Sequence, residues 1–351
     1  MSKERISVCL PNYNHSRYLR GAIEAFMAQS LQPHEIIIVD DASTDDSVNV
    51  VKELARTNSK IVLLENEKNQ GCCLSTNRAI AVATGNFIFP TAADDLILPG
   101  YFEKSINGFQ RYPQAGVCVT RVKYINFDGH EIFQKKSCLR QLLRQHPDIG
   151  AIQYLEPTEL ITRLKRDPRF IYGGPSPLFR KEVIIESGGL RDELGPYTDW
   201  FNVHFAALKY GLIHIPEPLV AFRLIAGGFG ETATRNPLLA IGKLAHVLEL
   251  MRSDEFQGVF PVDFVRQKEA EFTYLAFASS INVAYQSLRS GIDTVIPPKT
   301  YIDKVILYML TTLHLLTKAI LLFYSQKKQS QVCWPVVRHT HTDKGSIVRK
   351  T

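Results

Sequence analysis

In the first hundred residues, short, mostly apolar runs alternate with stretches whose apolar residues recur at helical spacing. Residues 6–10 form the first run, and Leu19, Ile23 and Phe26 then mark a helix over 17–29. Residues 35–39 are a β-branched run closed by Asp40 and Asp41. Helical spacing returns over 47–54, a strand pattern over 61–64, a helix over 74–83 and a strand over 87–89. Runs that stay apolar throughout belong to strands buried on both faces, and the intervening helices make them βαβ units of a mostly parallel sheet. Right-handed crossovers bring the C-terminal ends of such strands to one edge. The polar clusters 11–15, 40–46 and 92–95 all fall on that edge.

From 99 to about 224 the order loosens. A helix over 101–111 leads to a strand over 116–125 and an Asp128-Gly129 turn. A helix over 157–165, an apolar run over 170–179 and a helix ending at Ser187 follow. Residues 197–210 form a helix stopped by Gly211, and 212–215 a strand running into a turn at 216–218. Beyond 230 the pattern is almost wholly helical, with long stretches over 237–251 and 262–288. Residues 305–324 have the length of a membrane span, but Lys304, Thr311, His314 and Lys318 lay one polar stripe along them. That stripe fits a helix lying on a bilayer, or one packed on protein or a second copy.

Composition sharpens this picture only in places. With 45% apolar and 22% charged residues, 351 residues bury a large core and exclude a disordered chain or a disulfide scaffold. The six cysteines form no CxxC pair, and two are adjacent, which suits reduced thiols in a cytosolic protein; no secretory segment opens the chain. The net charge of +6 comes chiefly from the end, where six basic residues after Ser325 face Asp343 alone. A near-neutral body excludes nucleic acid as a partner across the surface.

The candidate chemistry sits in the rim clusters. Asp40 and Asp41 close a buried strand, where like charges repel unless donors or a ligand use them. Asp41 is the candidate ligand group, with Asp45 and Asp46 as caps of the next helix. Asp94 and Asp95 end the fourth strand. Adjacent carboxylates there suit a hard divalent cation bridging phosphate oxygens, or else simply complement a helix dipole. As a rim carboxylate, Asp95 is expected to contribute little to stability. Asp199 opens a helix, where acids are commonly caps; Trp200 beside it suits either a sugar face or the core. His15, His204 and His214 lack ligand spacing and read as surface or strand residues. No GxGxxG or GxxxxGK[ST] follows the first strand, which excludes a dinucleotide dehydrogenase and a P-loop enzyme.

Several motifs in order carry a resemblance. Leu10-Pro-Asn-Tyr-Asn14, Ile36-Ile-Ile-Val-Asp-Asp-Ala-Ser-Thr-Asp45, Asn69-Gln-Gly71 with Asn77-Arg-Ala-Ile80, Thr84-Gly85 and Ala93-Asp-Asp95 resemble the family 2 glycosyltransferases. The second half continues with Pro177-Leu-Phe-Arg-Lys181, Glu186-Ser-Gly-Gly-Leu190, Tyr197-Thr-Asp-Trp200, 211–219 and Phe222-Arg223. The resemblance implies an inverting transferase on the A-type, Rossmann-like fold, taking a sugar from a nucleotide-diphospho-sugar for a surface polysaccharide or lipid-linked glycan. By it, Pro11, Asn14 and Asp41 line the nucleotide pocket, Asp94 faces the ribose or diphosphate, Asp95 holds Mg²⁺ or Mn²⁺, and Asp199 is the catalytic base. Ala92 stands where the family's Asp-x-Asp-Asp has its first acid, and Phe222-Arg-Leu-Ile225 where it has Tyr-Arg-x-His. A non-catalytic scaffold on the same fold is the alternative. The implied organisation is a catalytic domain over 1–230, its nucleotide-binding half 1–98 and acceptor-binding half 99–230. A helical region over 231–325 and a basic tail over 326–351 complete it. The expected location is cytoplasmic, peripheral at the inner membrane face, with lipid contact or self-association through 301–325.

Overall fold

The computed structural model describes residues 4–132, 152–166, 177–225 and 237–272; the expectations for 301–325 and the basic tail lie outside them. The first βαβ units form as the apolar pattern requires. Strand β1 (Ile6–Asn12) is followed by α1 (Ser16–Met27), β2 (Glu35–Asp40), α2 (Ser47–Thr57), β3 (Ile61–Glu65), α3 (Cys72–Val82) and β4 (Phe87–Pro90). Helix α1 buries Leu19, Ala22, Ile23 and Phe26, a stripe at i, i+3, i+4 and i+7. β1 and β2 bury nearly every residue, because helices cover both faces of the sheet.

The second half adds β5 (Leu96–Ile97), α4 (Tyr101–Arg111), β6 (Val117–Ile125), β7 (Gln153–Leu155), α5 (Pro157–Arg166), β8 (Leu178–Arg180), α6 (Lys181–Glu186), α7 (Thr198–Tyr210), β9 (Leu212–Arg223) and α8 (Pro237–Arg252). One sheet takes all nine described strands in the order β3-β2-β1-β4-β8-β6-β9-β5, with β7 on β9. β3, β2, β1 and β4 are parallel, β8 is antiparallel to both its neighbours, and β6 is parallel to β9. The order reverses at β1, since β2 and β3 lie to one side and β4 to the other. Loops following β1 and β4 therefore diverge and leave a crevice at the C-terminal edge, the usual ligand position of such sheets.

The turn expected at 216–218 is instead part of β9. The register steps from Thr120 opposite Ile215 to Arg121 opposite Pro218 and Val122 opposite Val220. The two prolines sit where the strand bulges away from its ladder, a place where a missing N–H costs no hydrogen bond.

Side-chain alternation divides the core. Ile36 and Ile38 of β2 pack with α1 and α4 on one face. Ile37 and Val39 face the other cluster, which holds Phe201 and Phe205 of α7. Val247 and Met251 of α8, with Phe256, Phe260 and Phe264, join that second cluster. Burying each such aromatic contributes roughly 2 kcal/mol. The helical residues 237–272 thus form a buttress behind α7. Lys243 Nζ also donates to the Asp192 carbonyl at 3.0 Å, and Arg191 pairs with Glu255.

Candidate active site

The rim begins with a loop built by carboxylates. Asp40 Oδ1 accepts the Ser43 N–H at 2.8 Å, and its Oδ2 accepts Asn12 Nδ2 at 2.8 Å and Ser43 Oγ at 2.7 Å. Three donors satisfy it, and the chain turns through Ala42 at φ +62°. Asn14, exposed at φ +56°, spends its side-chain oxygen on the N–H groups of Thr44 at 2.7 Å and Asp45 at 3.3 Å. Pro11 is partly buried in β1, opposite Val39. Asp45 accepts from Ser47 N–H at 3.0 Å and Ser16 N–H at 2.9 Å, so it serves the starts of both α2 and α1. Although partial burial opposes this, those bonds hold its pKa down to about 2. Asp46 differs from the expectation of a cap: its oxygen accepts Asn49 Nδ2 at 2.8 Å and no backbone N–H of α2.

Asp41 points its carboxylate elsewhere. Only 3% exposed, it accepts Asn66 Nδ2 at 2.7 Å and Gln70 N–H at 2.9 Å on Oδ1, and Gly71 N–H at 2.8 Å on Oδ2. Separate donor sets let the two adjacent acids coexist at the strand end. Oδ2 has one donor and keeps capacity for another N–H, such as that of a base. Asn66, one of the run of polar residues 65–70 after β3, gave no signal in the sequence beyond its place after an apolar run.

Asp94 and Asp95 lie between β4 and β5. β5 pairs with β9 so that Leu96 faces Ala221, which brings the Arg223 N–H to Asp95 Oδ1 at 2.9 Å. Asp95 is 3% exposed. This corrects its reading as a rim carboxylate of little structural weight. Burial, and then the neighbouring charge of Asp94, push its carboxyl well above the usual range. Asp94 is half-buried, and its carboxylate makes no hydrogen bond among the described residues. Ile225 supplies no imidazole, and no group of three His, Cys, Asp or Glu residues able to hold a metal occurs among the described residues. The pair therefore fits a hard cation only if diphosphate oxygens and water complete its shell, the ordinary arrangement for Mg²⁺ at a nucleotide.

Asp199 stands in the first turn of α7. The preceding Thr198 accepts the Arg191 N–H on Oγ1 at 2.6 Å, and Asp199 Oδ1 accepts the Trp200 N–H at 2.7 Å. Asp199 is partly buried, and its desolvation outweighs the Trp200 bond and lifts the carboxyl to about 7. The start of α3 links it to the nucleotide side. At that start Gly71 binds Asp41, and Cys73 is buried. Asn77 ties the same helix to the turn before α7, exchanging two bonds with Leu190 at 2.7 and 2.8 Å. Gly189 at φ +69° allows that approach, since a Cβ there would lie 2.6 Å from Asn77 Oδ1.

Trp200 is partly buried against the core, its ring 4.0 Å from that of His204. His204 is not a surface residue. It is fully buried, Nδ1 lies 2.8 Å from the Trp200 carbonyl, and burial lowers its pKa to about 3.

Residues 7–188, a little over half of the chain, match the family model for Glycosyl transferase family 2. The chain belongs to this family. The glycosyltransferase GlyG of Streptococcus pneumoniae is 31% identical over 240 residues, covering 65% of this chain and 74% of that protein. An uncharacterized glycosyltransferase of Methanocaldococcus jannaschii, MJ1057, is 25% identical over 49% of this chain, and the putative glycosyltransferase EpsE of Bacillus subtilis 34% identical over 32%. The chain spans 62% of the former and 40% of the latter. Among solved structures, Staphylococcus aureus TarS 1–349 in complex with UDP-GlcNAc superposes with a TM-score of 0.59 at 16% identity, covering 81% of each chain. The mannosyltransferase PcManGT of Pyrobaculum calidifontis, in complex with GDP-Man and Mn²⁺, gives 0.53 at 18% identity, over 91% of this family 2 chain and 87% of that one. The family 2 chain thus has the α/β, A-type glycosyltransferase fold, with a central sheet flanked by helices. Among its described residues no helix is long and apolar enough to cross a membrane.

Proposed function

We propose that the chain is an inverting glycosyltransferase that moves a sugar from a nucleotide-diphospho-sugar to an acceptor hydroxyl, in the synthesis of a surface polysaccharide or lipid-linked glycan. What supports this reading is the strand reversal at β1–β4, with Asp41 following β2 and the Asp94-Asp95 pair following β4 at one sheet edge, together with the raised carboxyl of Asp199. Asp41, with Pro11 and Asn14 on the same rim, receives the base. Asp94 borders the ribose or diphosphate. A Mg²⁺ or Mn²⁺ ion held by Asp95 would neutralise charge on the departing diphosphate. Asp199 takes the proton of the acceptor hydroxyl; that oxygen bonds to the anomeric carbon on the face opposite the diphosphate. The bond from that carbon to the phosphate oxygen breaks, and the nucleoside diphosphate leaves with its electron pair. A carboxyl near 7 is well matched to this proton transfer. The bound UDP-GlcNAc of TarS and GDP-Man with Mn²⁺ of PcManGT support this class of donor.

The test is a thermal shift of the full chain with UDP, GDP, CDP and dTDP, with and without Mn²⁺. A nucleotide at a hundred times its Kd should stabilise the native state by about 2.7 kcal/mol, and one of the four should do so in a Mn²⁺-dependent way. No shift with any of them contradicts the proposal.

A further inference from the structure

Where the family has Tyr-Arg-x-His, Phe222-Arg-Leu-Ile225 keeps the arginine, Arg223, and replaces the histidine. Arg223 is 8% exposed, and a buried guanidinium is costly unless its donors are met. Here three of its bonds go to main-chain carbonyls. Nε donates to the Asp94 carbonyl at 2.9 Å, and one terminal nitrogen donates to those of Asn126 and Phe127, each at 2.9 Å. Its own N–H holds Asp95 Oδ1 at 2.9 Å. The guanidinium also lies 4.8 Å from the ring centre of Tyr18, and that ring meets Phe127 edge-on at 6.0 Å.

Arg223 therefore joins three segments far apart in sequence: the turn carrying both carboxylates, the turn after β6, and α1. Register explains why one side chain can do this. β9 runs between β5 and β6, with Ala221 opposite Leu96 and Arg223 opposite Ile125. Arg223 thus ends its strand where both neighbouring turns begin.

We infer that Arg223 is the positioning residue of the Asp94-Asp95 pair, fixing the spacing of the two carboxylates that meet a cation and its diphosphate. The inference rests on the reading of this rim as the donor site. With two protein carboxylates there among the described residues, their geometry is set by the turn that holds them, and the turn is set by Arg223. A lysine keeps the charge but cannot span three carbonyls with a planar fork of donors.

The experiment is calorimetric binding of UDP, GDP, CDP and dTDP to the native protein, Arg223→Lys and Tyr18→Leu, each with and without Mn²⁺, beside their melting temperatures. Arg223→Lys should lose about 10–100-fold of the affinity that Mn²⁺ adds, as when groups orienting metal ligands are removed, while metal-free affinity stays at the native level. Tyr18→Leu, which removes only the ring under the guanidinium, should lose part of the same increment without a change in metal-free binding. Arg223→Lys with the full Mn²⁺ increment overturns the inference, as does a loss of metal-free and metal-dependent affinity in equal proportion. Should Arg223→Lys not fold, an unchanged increment in Tyr18→Leu overturns it instead. A native protein that binds none of the four nucleotides overturns the donor-site reading itself, and the inference with it.

Discussion

Asp199→Asn is expected to bind nucleoside diphosphate as the native protein does and to transfer sugar ~10²–10⁴-fold more slowly. The amide keeps the size of the carboxylate and an oxygen for the Trp200 N–H, so the start of α7 is preserved. It cannot take a proton. The native pH profile carries the same signature. Burial raises the Asp199 carboxyl to about 7, so kcat/KM should climb as pH rises through that value, where the ionised base accumulates. In Asp199→Asn this acid limb should vanish. A limb centred near the ordinary carboxylate value, about 4, or near-native turnover in the variant, removes Asp199 as base.

Asp95→Asn should abolish the gain in nucleotide affinity that Mn²⁺ brings, a loss of at least about tenfold, since even groups that merely orient metal ligands count for that much. Asparagine is the informative replacement because its oxygen still accepts the buried Arg223 N–H. Alanine leaves that donor without a partner, which costs about 1–3 kcal/mol and confounds binding with stability. Titration of the variant with UDP or GDP at several Mn²⁺ concentrations checks this. An increment equal to the native one shows that Asp95 holds no metal.

The contrast between these two carboxylates marks what the sequence can and cannot convey. The strands of the nucleotide half were legible because local runs such as 36–39 are apolar on both faces, and burial on both faces follows directly from that. The rim clusters were legible for the same reason, each lying where a run stops. Asp95 looked like a surface acid because its environment is made by β9, which pairs with β5 from more than a hundred residues away. That pairing was hidden behind Pro216 and Pro218, which locally signal a turn, whereas the bulge against β6 lets the strand continue. His204 failed similarly. Its burial comes from Phe264 and its neighbours in the helical region beyond the transferase motifs, and no spacing within α7 reports them. Asp45, by contrast, acts on residues two positions ahead and on the neighbouring helix start, and its capping role was visible in composition alone.

The central claim is transfer from a nucleotide-diphospho-sugar, and release of nucleoside diphosphate measures it most directly. The full chain is incubated with UDP-, GDP-, CDP- and dTDP-linked sugars in Mn²⁺, with and without a panel of sugar and polyprenyl acceptors, and the freed nucleotide is quantified. The account predicts release from one donor class, stimulated by an acceptor, absent in Asp199→Asn, and yielding a product of inverted anomeric configuration. Binding of a nucleotide without release from any donor would contradict it and leave the chain a scaffold on a transferase fold.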